Sequence, residues 1–225
     1  VLIIVLALVF DFINGFHDTA NAIATSVSTR VLTPKVAVVM AAGLNMLGAL
    51  SGTAVAKTVG VGLVQAVSIT QVTIISALIA AIVWDLITWY FGLPTSSSHA
   101  ILSGIVGASI ATSGFEVIIS KGVYKVLMGL IFSPLIGFML SIMLMYFLMW
   151  LFRKSTPSLV SKLFGRLQIL SAAYMAFSHG SNDAQKTMGI ITMALVSYYN
   201  LPTFNVPMWV IVICATAMAF GTALG

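Results

Sequence analysis

Asn14-Gly15-Phe16-His17-Asp18-Thr19-Ala20-Asn21 and, much later, His179-Gly180-Ser181-Asn182-Asp183-Ala184-Gln185-Lys186 decide the fold of this chain. Laid over each other at a constant offset of 165, Gly15 meets Gly180 and Asp18 meets Asp183. Each stretch is a glycine-marked polar knot in an otherwise strongly apolar sequence. An ionisable group at membrane depth costs roughly 2.5–3.5 kcal/mol on insertion scales, so it is kept where it lines a cavity or handles an ion. Two such groups in equivalent places point to a duplicated transporter with one binding site between its halves.

Composition supports the membrane setting. Of 225 residues, 60% are hydrophobic and 7% charged, and the mean hydropathy is +1.12. Soluble domains carry about 25% charged residues, so that class is excluded. The net charge of +5 does not read as a nucleic-acid signal, because the basic residues fall between apolar runs. Arg153, Lys154, Lys162 and Arg166 crowd one connection with no acidic residue, which the positive-inside rule places in the cytoplasm. The single cysteine, Cys214, sits in an apolar run and reads as a small buried hydrophobe. The start at Val1 and the stop at Gly225 inside an apolar run read as a piece of a longer protein.

Apolar runs and breakers predict an all-α, polytopic transmembrane bundle with inverted-topology repeats and broken or re-entrant helices. Residues 1–29 are expected to be helical but interrupted at Asn14-Gly15, since a straight helix of that length would span roughly 43 Å. Residues 35–56 form a second helix, with Ala41, Ala42, Gly43, Gly48, Ala49 and Gly52 on a small-residue face that suits close packing. Residues 69–91 end in Trp84, Trp89, Tyr90 and Phe91, an aromatic group suited to an interface. A helix over 94–112 and a long Met- and Leu-rich one over 122–152 follow, the latter expected to kink at Pro134 and Gly137. Segments 163–182, 184–199 and 206–225 begin a second series. The expected organisation is a first repeat over 1–152, a basic cytoplasmic loop over 153–166, and the start of a second repeat over 167–225. Five crossings before the loop give the odd number that an inverted repeat requires, provided that 1–29 crosses once.

Three elements carry chemistry. In the first knot, Asp18 and Asn21 share a helical face, and with amide and backbone oxygens nearby they form a hard-oxygen site for Na⁺ or a proton. Asp11 lies seven residues before Asp18 on roughly the same side. In the second knot, Lys186 sits one turn from Asp183, which would hold the ammonium charged. Asn182 and Gln185 add hydrogen-bond donors for an anion. The third element is Pro94-Thr95-Ser96-Ser97-Ser98. Pro94 opens a helix whose N-terminus, with about half a positive charge and free N–H groups, is ready for an anion. One hydroxyl would serve as a cap; Thr95, Ser96, Ser97 and Ser98 exceed that need. His17, His99 and His179 have no ligand-like spacing and read as hydrogen-bonded supporting groups. Asp85 and Glu116 lie near segment ends and read as interfacial.

Residues 12–25, Leu93-Pro94-Thr95-Ser96-Ser97-Ser98-His99, and His179-Gly180-Ser181-Asn182-Asp183-Ala184-Gln185-Lys186-Thr187-Met188-Gly189 resemble the prokaryotic inorganic phosphate transporter family. The resemblance covers the whole chain and implies a cation-coupled symporter of two inverted repeats in the inner (plasma) membrane. It implies that Asp18, Asn21, Thr95 to Ser98, Asn182, Asp183 and Lys186 line the central site. It also implies a second hydroxyl hairpin beyond residue 225, so this stretch holds one full repeat and the front of the next. The expected partners are inorganic phosphate, the bilayer and Na⁺ or H⁺, with a homodimer compatible with the small-residue helices. No cofactor or metal is expected besides a bound Na⁺ at Asp18 and Asp183. Rival readings are a sulfate transporter of the same fold, an intramembrane aspartyl hydrolase using Asp18 and Asp183 as a dyad, and a passive channel.

Overall fold

At membrane depth a backbone has no water to bond with, so long apolar runs close their hydrogen bonds within helices. The computed structural model describes residues 1–64, 69–93 and 95–225; Pro94, the expected helix opener, lies outside the described residues. In order, the helices are α1 (Leu2–Ser28), α2 (Pro34–Leu50), α3 (Ala54–Gly62), α4 (Gln71–Tyr90) and α5 (Ser97–Ser113). After a 3₁₀ turn (Phe115–Val117) come α6 (Ser120–Phe152), α7 (Pro157–Tyr199) and α8 (Met208–Leu224). Among the described residues the only strand-like pairing is an isolated bridge between Val64 and Ile118. Helix ends follow local chemistry. Prolines open α2 and α7, and the side chains of Thr70 and Ser96 accept the N–H groups of Thr73 and His99 at the starts of α4 and α5. Asn200 ends α7 in the left-handed region.

The expected break at Asn14-Gly15 does not occur: α1 is one helix of 27 residues. The break comes instead at Ser51-Gly52-Thr53, where α2 and α3 meet at 68°. Likewise the second knot interrupts nothing, and α7 runs 43 residues through Gly180. Most of the expected basic loop is therefore helical, and of 153–166 only residues 153–156 lie between α6 and α7. α6 continues through Pro134.

The glycines explain why the knots stay helical. A Cβ on Gly15 would overlap the Met218 carbonyl, and one on Gly221 the Phe12 carbonyl, so α1 and α8 cross in backbone contact. A Cβ on Gly180 would overlap the Asn45 carbonyl, and one on Gly48 the Phe177 carbonyl, so α7 and α2 cross in the same way. Gly15 matches Gly180 and Phe12 matches Phe177 at the offset of 165. Each knot glycine thus serves a close helix crossing rather than a kink. Of the small-residue face of α2, Gly48 meets α7 and Ala41 and Ala49 are buried within the chain, while Gly43 is exposed.

Around these crossings Phe10, Leu78, Ile101, Met188, Ile191, Val210 and Met218 form the main apolar core. A second cluster of Ala22, Ile23, Ala37, Ala41 and Ala176 closes the other end of the seam. α6 buries none of its residues against the rest of the chain, which leaves its Met, Leu and Phe side chains facing outward. Trp84, Trp89, Tyr90 and Phe91 are exposed as expected. Among the described residues, three helices (Leu2–Ser28, Gln71–Tyr90 and Ser120–Phe152) are long and apolar enough to span a bilayer, and the bent α2–α3 pair makes a fourth.

Candidate functional site

The site forms where α1 and α7 lie side by side and the start of α5 reaches them. Asp18 accepts from the Asn21 amide (3.4 Å) and from the Ser97 hydroxyl (3.5 Å), and His17 Nδ1 stands 3.3 Å away. Asp183 accepts from Lys186 Nζ at 2.5 Å and from the Asn14 amide at 3.3 Å. Lys186 also donates to Ser98 Oγ. The Asn21–Asp18 and Lys186–Asp183 pairs match at the offset of 165, with an amide in one and an ammonium in the other. Two hydroxyls at the start of α5, one ammonium and two carboxylates are therefore brought together across three helices.

His179 ties the two halves. Its Nδ1 lies 3.1 Å from Asn45 Oδ1, and the Asn45 amide donates to Thr222 at 2.7 Å. An Nδ1–H donating to the Asn45 carbonyl oxygen fits this pairing. Nε2 stands 3.7 Å from Asp18 Oδ2 and 3.7 Å from Asp183 Oδ2, and has no hydrogen-bond partner among the described residues. Ligand atoms of Asp18, His179 and Asp183 all fall within 4.8 Å of one another. Three electron-pair donors facing one space fit a small cation, which would relieve their mutual repulsion.

Other expected site residues are placed elsewhere. Thr95 accepts from the Trp84 indole N–H at 3.0 Å, and Ser96 caps α5; both line a groove of about 610 Å³ between α4 and α5, away from Lys186. Asn182 is exposed and donates back to the Ser178 carbonyl at 2.9 Å. Gln185 is buried but its carbonyl accepts the Val55 N–H at 2.9 Å, so it holds the start of α3 after the α2–α3 bend. Asp85 is not interfacial: it is fully buried in α4 and neither carboxylate oxygen has a partner among the described residues. Glu116 lies exposed in the turn after α5. Sequence reading assigned no role to Asn14 or Asn45 and only a supporting one to His179. Their signal was a lone polar residue on an otherwise small or apolar helical face, which shows its meaning only once the facing helix is known.

A bundle of membrane helices that buries paired carboxylates, an ammonium and hydroxyls in one seam is the build of a membrane transport protein. The chain matches the phosphate transporter family over residues 14–160 and 152–225. It is 50% identical to a probable low-affinity inorganic phosphate transporter of Bacillus subtilis (strain 168), over all of this chain and 68% of that protein. It is 38% identical to the low-affinity inorganic phosphate transporter PitA of Escherichia coli (strain K12), over 87% of this chain and 46% of that one. A solved structure of a sodium-dependent phosphate transporter shares the fold, with a TM-score of 0.83 at 22% identity, covering 99% of this chain and 75% of the other. The chain belongs to the phosphate transporter family.

Proposed function

We propose that this chain forms the core of a secondary transporter that carries inorganic phosphate across the plasma membrane by symport with Na⁺ or H⁺. In this reading residues 1–152 are one inverted repeat and residues from 167 onward the start of its partner. The paired α1–α8 and α7–α2 crossings support that division, because equivalent glycines make both.

The observation that carries the proposal is the contact of Lys186 with both Ser98 and Asp183, beside Ser97 on Asp18. An ammonium and hydroxyls at a helix N-terminus provide donors for a tetrahedral oxyanion. Phosphate keeps at least one proton near neutral pH, and a carboxylate can accept that donor while a sulfate offers none. Two carboxylates, Asp18 and Asp183, stand against the one ammonium of Lys186. An added phosphate therefore needs accompanying cations at membrane depth, and the Asp18–His179–Asp183 group is suited to one of them. Asp18, Asn21 and Asp183 thus serve the cation, while Ser97, Ser98 and Lys186 serve the anion.

The test is uptake of labelled phosphate by the full-length protein in proteoliposomes, under an imposed Na⁺ gradient and separately under a pH gradient, with sulfate as competitor. Uptake driven by one gradient and resistant to sulfate is expected. Asp183→Asn should abolish it, since the amide cannot neutralise Lys186. Near-normal uptake by that variant would remove Asp183 from the mechanism.

A further inference from the structure

Two buried side chains on α1 carry oxygens that the site just described does not use. Asp11 is fully buried, and its Oδ1 accepts from the Thr187 hydroxyl at 2.6 Å. Asn14 is also fully buried, and its amide nitrogen is committed to Asp183. That leaves Asn14 Oδ1 without a hydrogen-bond partner among the described residues, while the Asp11 carboxylate has, besides Thr187, only the weak thiol donor of Cys214 on α8. The two residues are three apart on α1 and so share a face. Both reach α7, at Thr187 and Asp183, which are four apart and also share a face. One acceptor oxygen therefore lies unmatched and the carboxylate beside it is met by a hydroxyl and a thiol only, in a buried seam where a missing donor costs about 1–3 kcal/mol.

This position is not a copy of the duplicated site. At the offset of 165, Asn14 falls on His179, and the Asn14–Asp183 and His179–Asp18 contacts answer one another. Asp11, however, falls on Ala176, and Thr187 is matched by Ala22. Both alanines belong to the apolar cluster that closes the other end of the seam. The polar column thus runs one turn further on one side only. Asp11 lies about 10 Å along α1 from Asp18, at 1.5 Å per residue. The groups facing it are Asp183, Lys186 and Thr187 on α7 and the Cys214 thiol on α8. The ammonium is already engaged by Asp183 and Ser98.

We propose that Asp11, Asn14 and Thr187 hold a second coupled cation, separate from the Asp18–His179–Asp183 group. One positive charge between Asp11 Oδ2 and Asn14 Oδ1 satisfies both oxygens. Na⁺ does so as a hard cation among carboxylate, amide and hydroxyl oxygens; a proton does so as an acid O–H on Asp11 donating to Asn14. The proposal rests on the symport reading above.

The full-length protein distinguishes these outcomes. Uptake is measured against Na⁺ concentration at fixed pH, and against pH at fixed Na⁺, for wild type, Asp11→Asn and Thr187→Val. The half-saturating level of the coupled cation should rise roughly tenfold to a hundredfold in the variants, with phosphate KM unchanged at saturating cation. A shift in the Na⁺ arm assigns Na⁺; a shift in the pH arm assigns a proton. Unchanged profiles in both arms would overturn the proposal. In parallel, Na⁺ or acidification should raise the melting temperature of purified wild type, as a ligand of the folded state must, and do so less in Thr187→Val. Thr187→Val keeps the shape of the seam should Asp11→Asn fail to fold. Wild-type uptake indifferent to both gradients would end the symport reading, whereas an intact variant melting shift would end this inference alone.

Discussion

At Asp183 an ammonium, a carboxamide and an imidazole converge on two carboxylate oxygens. At this scale the hydroxyl run divides sharply. Ser97 and Ser98 face Asp18 and Lys186, while Thr95 and Ser96 serve Trp84 and the α5 cap. Ser97→Ala and Ser98→Ala should each raise phosphate KM about tenfold, from loss of a hydrogen bond to a charged group of about 1.5 kcal/mol. Thr95→Val should leave KM unchanged. Ser96→Ala should lower stability by about 1 kcal/mol through the lost cap, with KM unaltered. Uptake kinetics and melting in micelles separate the two groups, and a raised KM in Thr95→Val would return that residue to the site.

Helix pairs carry the next level of organisation. α1 crosses α8, and α7 crosses α2, each through a pair of glycines that leave backbone against backbone. Gly180→Ala has no room, because the new methyl meets the Asn45 carbonyl on an adjacent helix. It should cost about 1–3 kcal/mol as an overpacked contact, and should also displace Asn45 from His179. Gly43→Ala on the same α2 helix meets nothing within 4 Å, and should stabilise the helix by about 0.5–1 kcal/mol. Comparing resistance of the two variants to denaturant in mixed micelles checks both signs. Equal behaviour would mean that the crossing yields where a rigid contact is expected. The aromatic end of α4 and the apolar belt of α6 are exposed, and both could be read from residue type alone.

For the molecule as a whole, sidedness is expected to turn on α7, which is not among the helices apolar enough to span by composition but is the longest described. At 1.5 Å per residue its 43 residues reach about 64 Å, enough to carry the chain from one aqueous face to the other. The basic residues around 153–166 should lie on the cytoplasmic side, and the 200–207 connection on the opposite side. In a Cys214→Ala background, Ser155→Cys should react with an impermeant maleimide from the cytoplasmic side only, and Thr203→Cys from the other side only. Labelling of both from one side would reverse the assignment of α7 as a crossing helix. The five crossings counted from sequence required that residues 1–29 cross once; α1 is one continuous helix of 27 residues, while α5, at 17 residues, is not among the helices long and apolar enough to span.

By itself the sequence determined the membrane class, the all-α build, most helix positions and the family, because apolar runs, prolines and contiguous motifs are local signals. It also singled out Asp18, Asp183, Lys186, Ser97 and Ser98, whose charge or number is out of place in lipid. Only the tertiary structure decided where the helices break. The same glycine reads as a kink or as a close crossing, and the difference lies in whether another backbone stands opposite it. Tertiary structure also gave Gln185, Thr95 and Ser96 partners that sequence does not show, in the Val55 N–H, the Trp84 indole and the His99 N–H. It revealed Asn14, His179 and the Asp11–Thr187 pair, whose partners lie more than 150 residues away in the chain or are fixed by contacts across helices. A hydrogen bond between distant segments leaves no spacing pattern in sequence, since its geometry is set by how the helices pack.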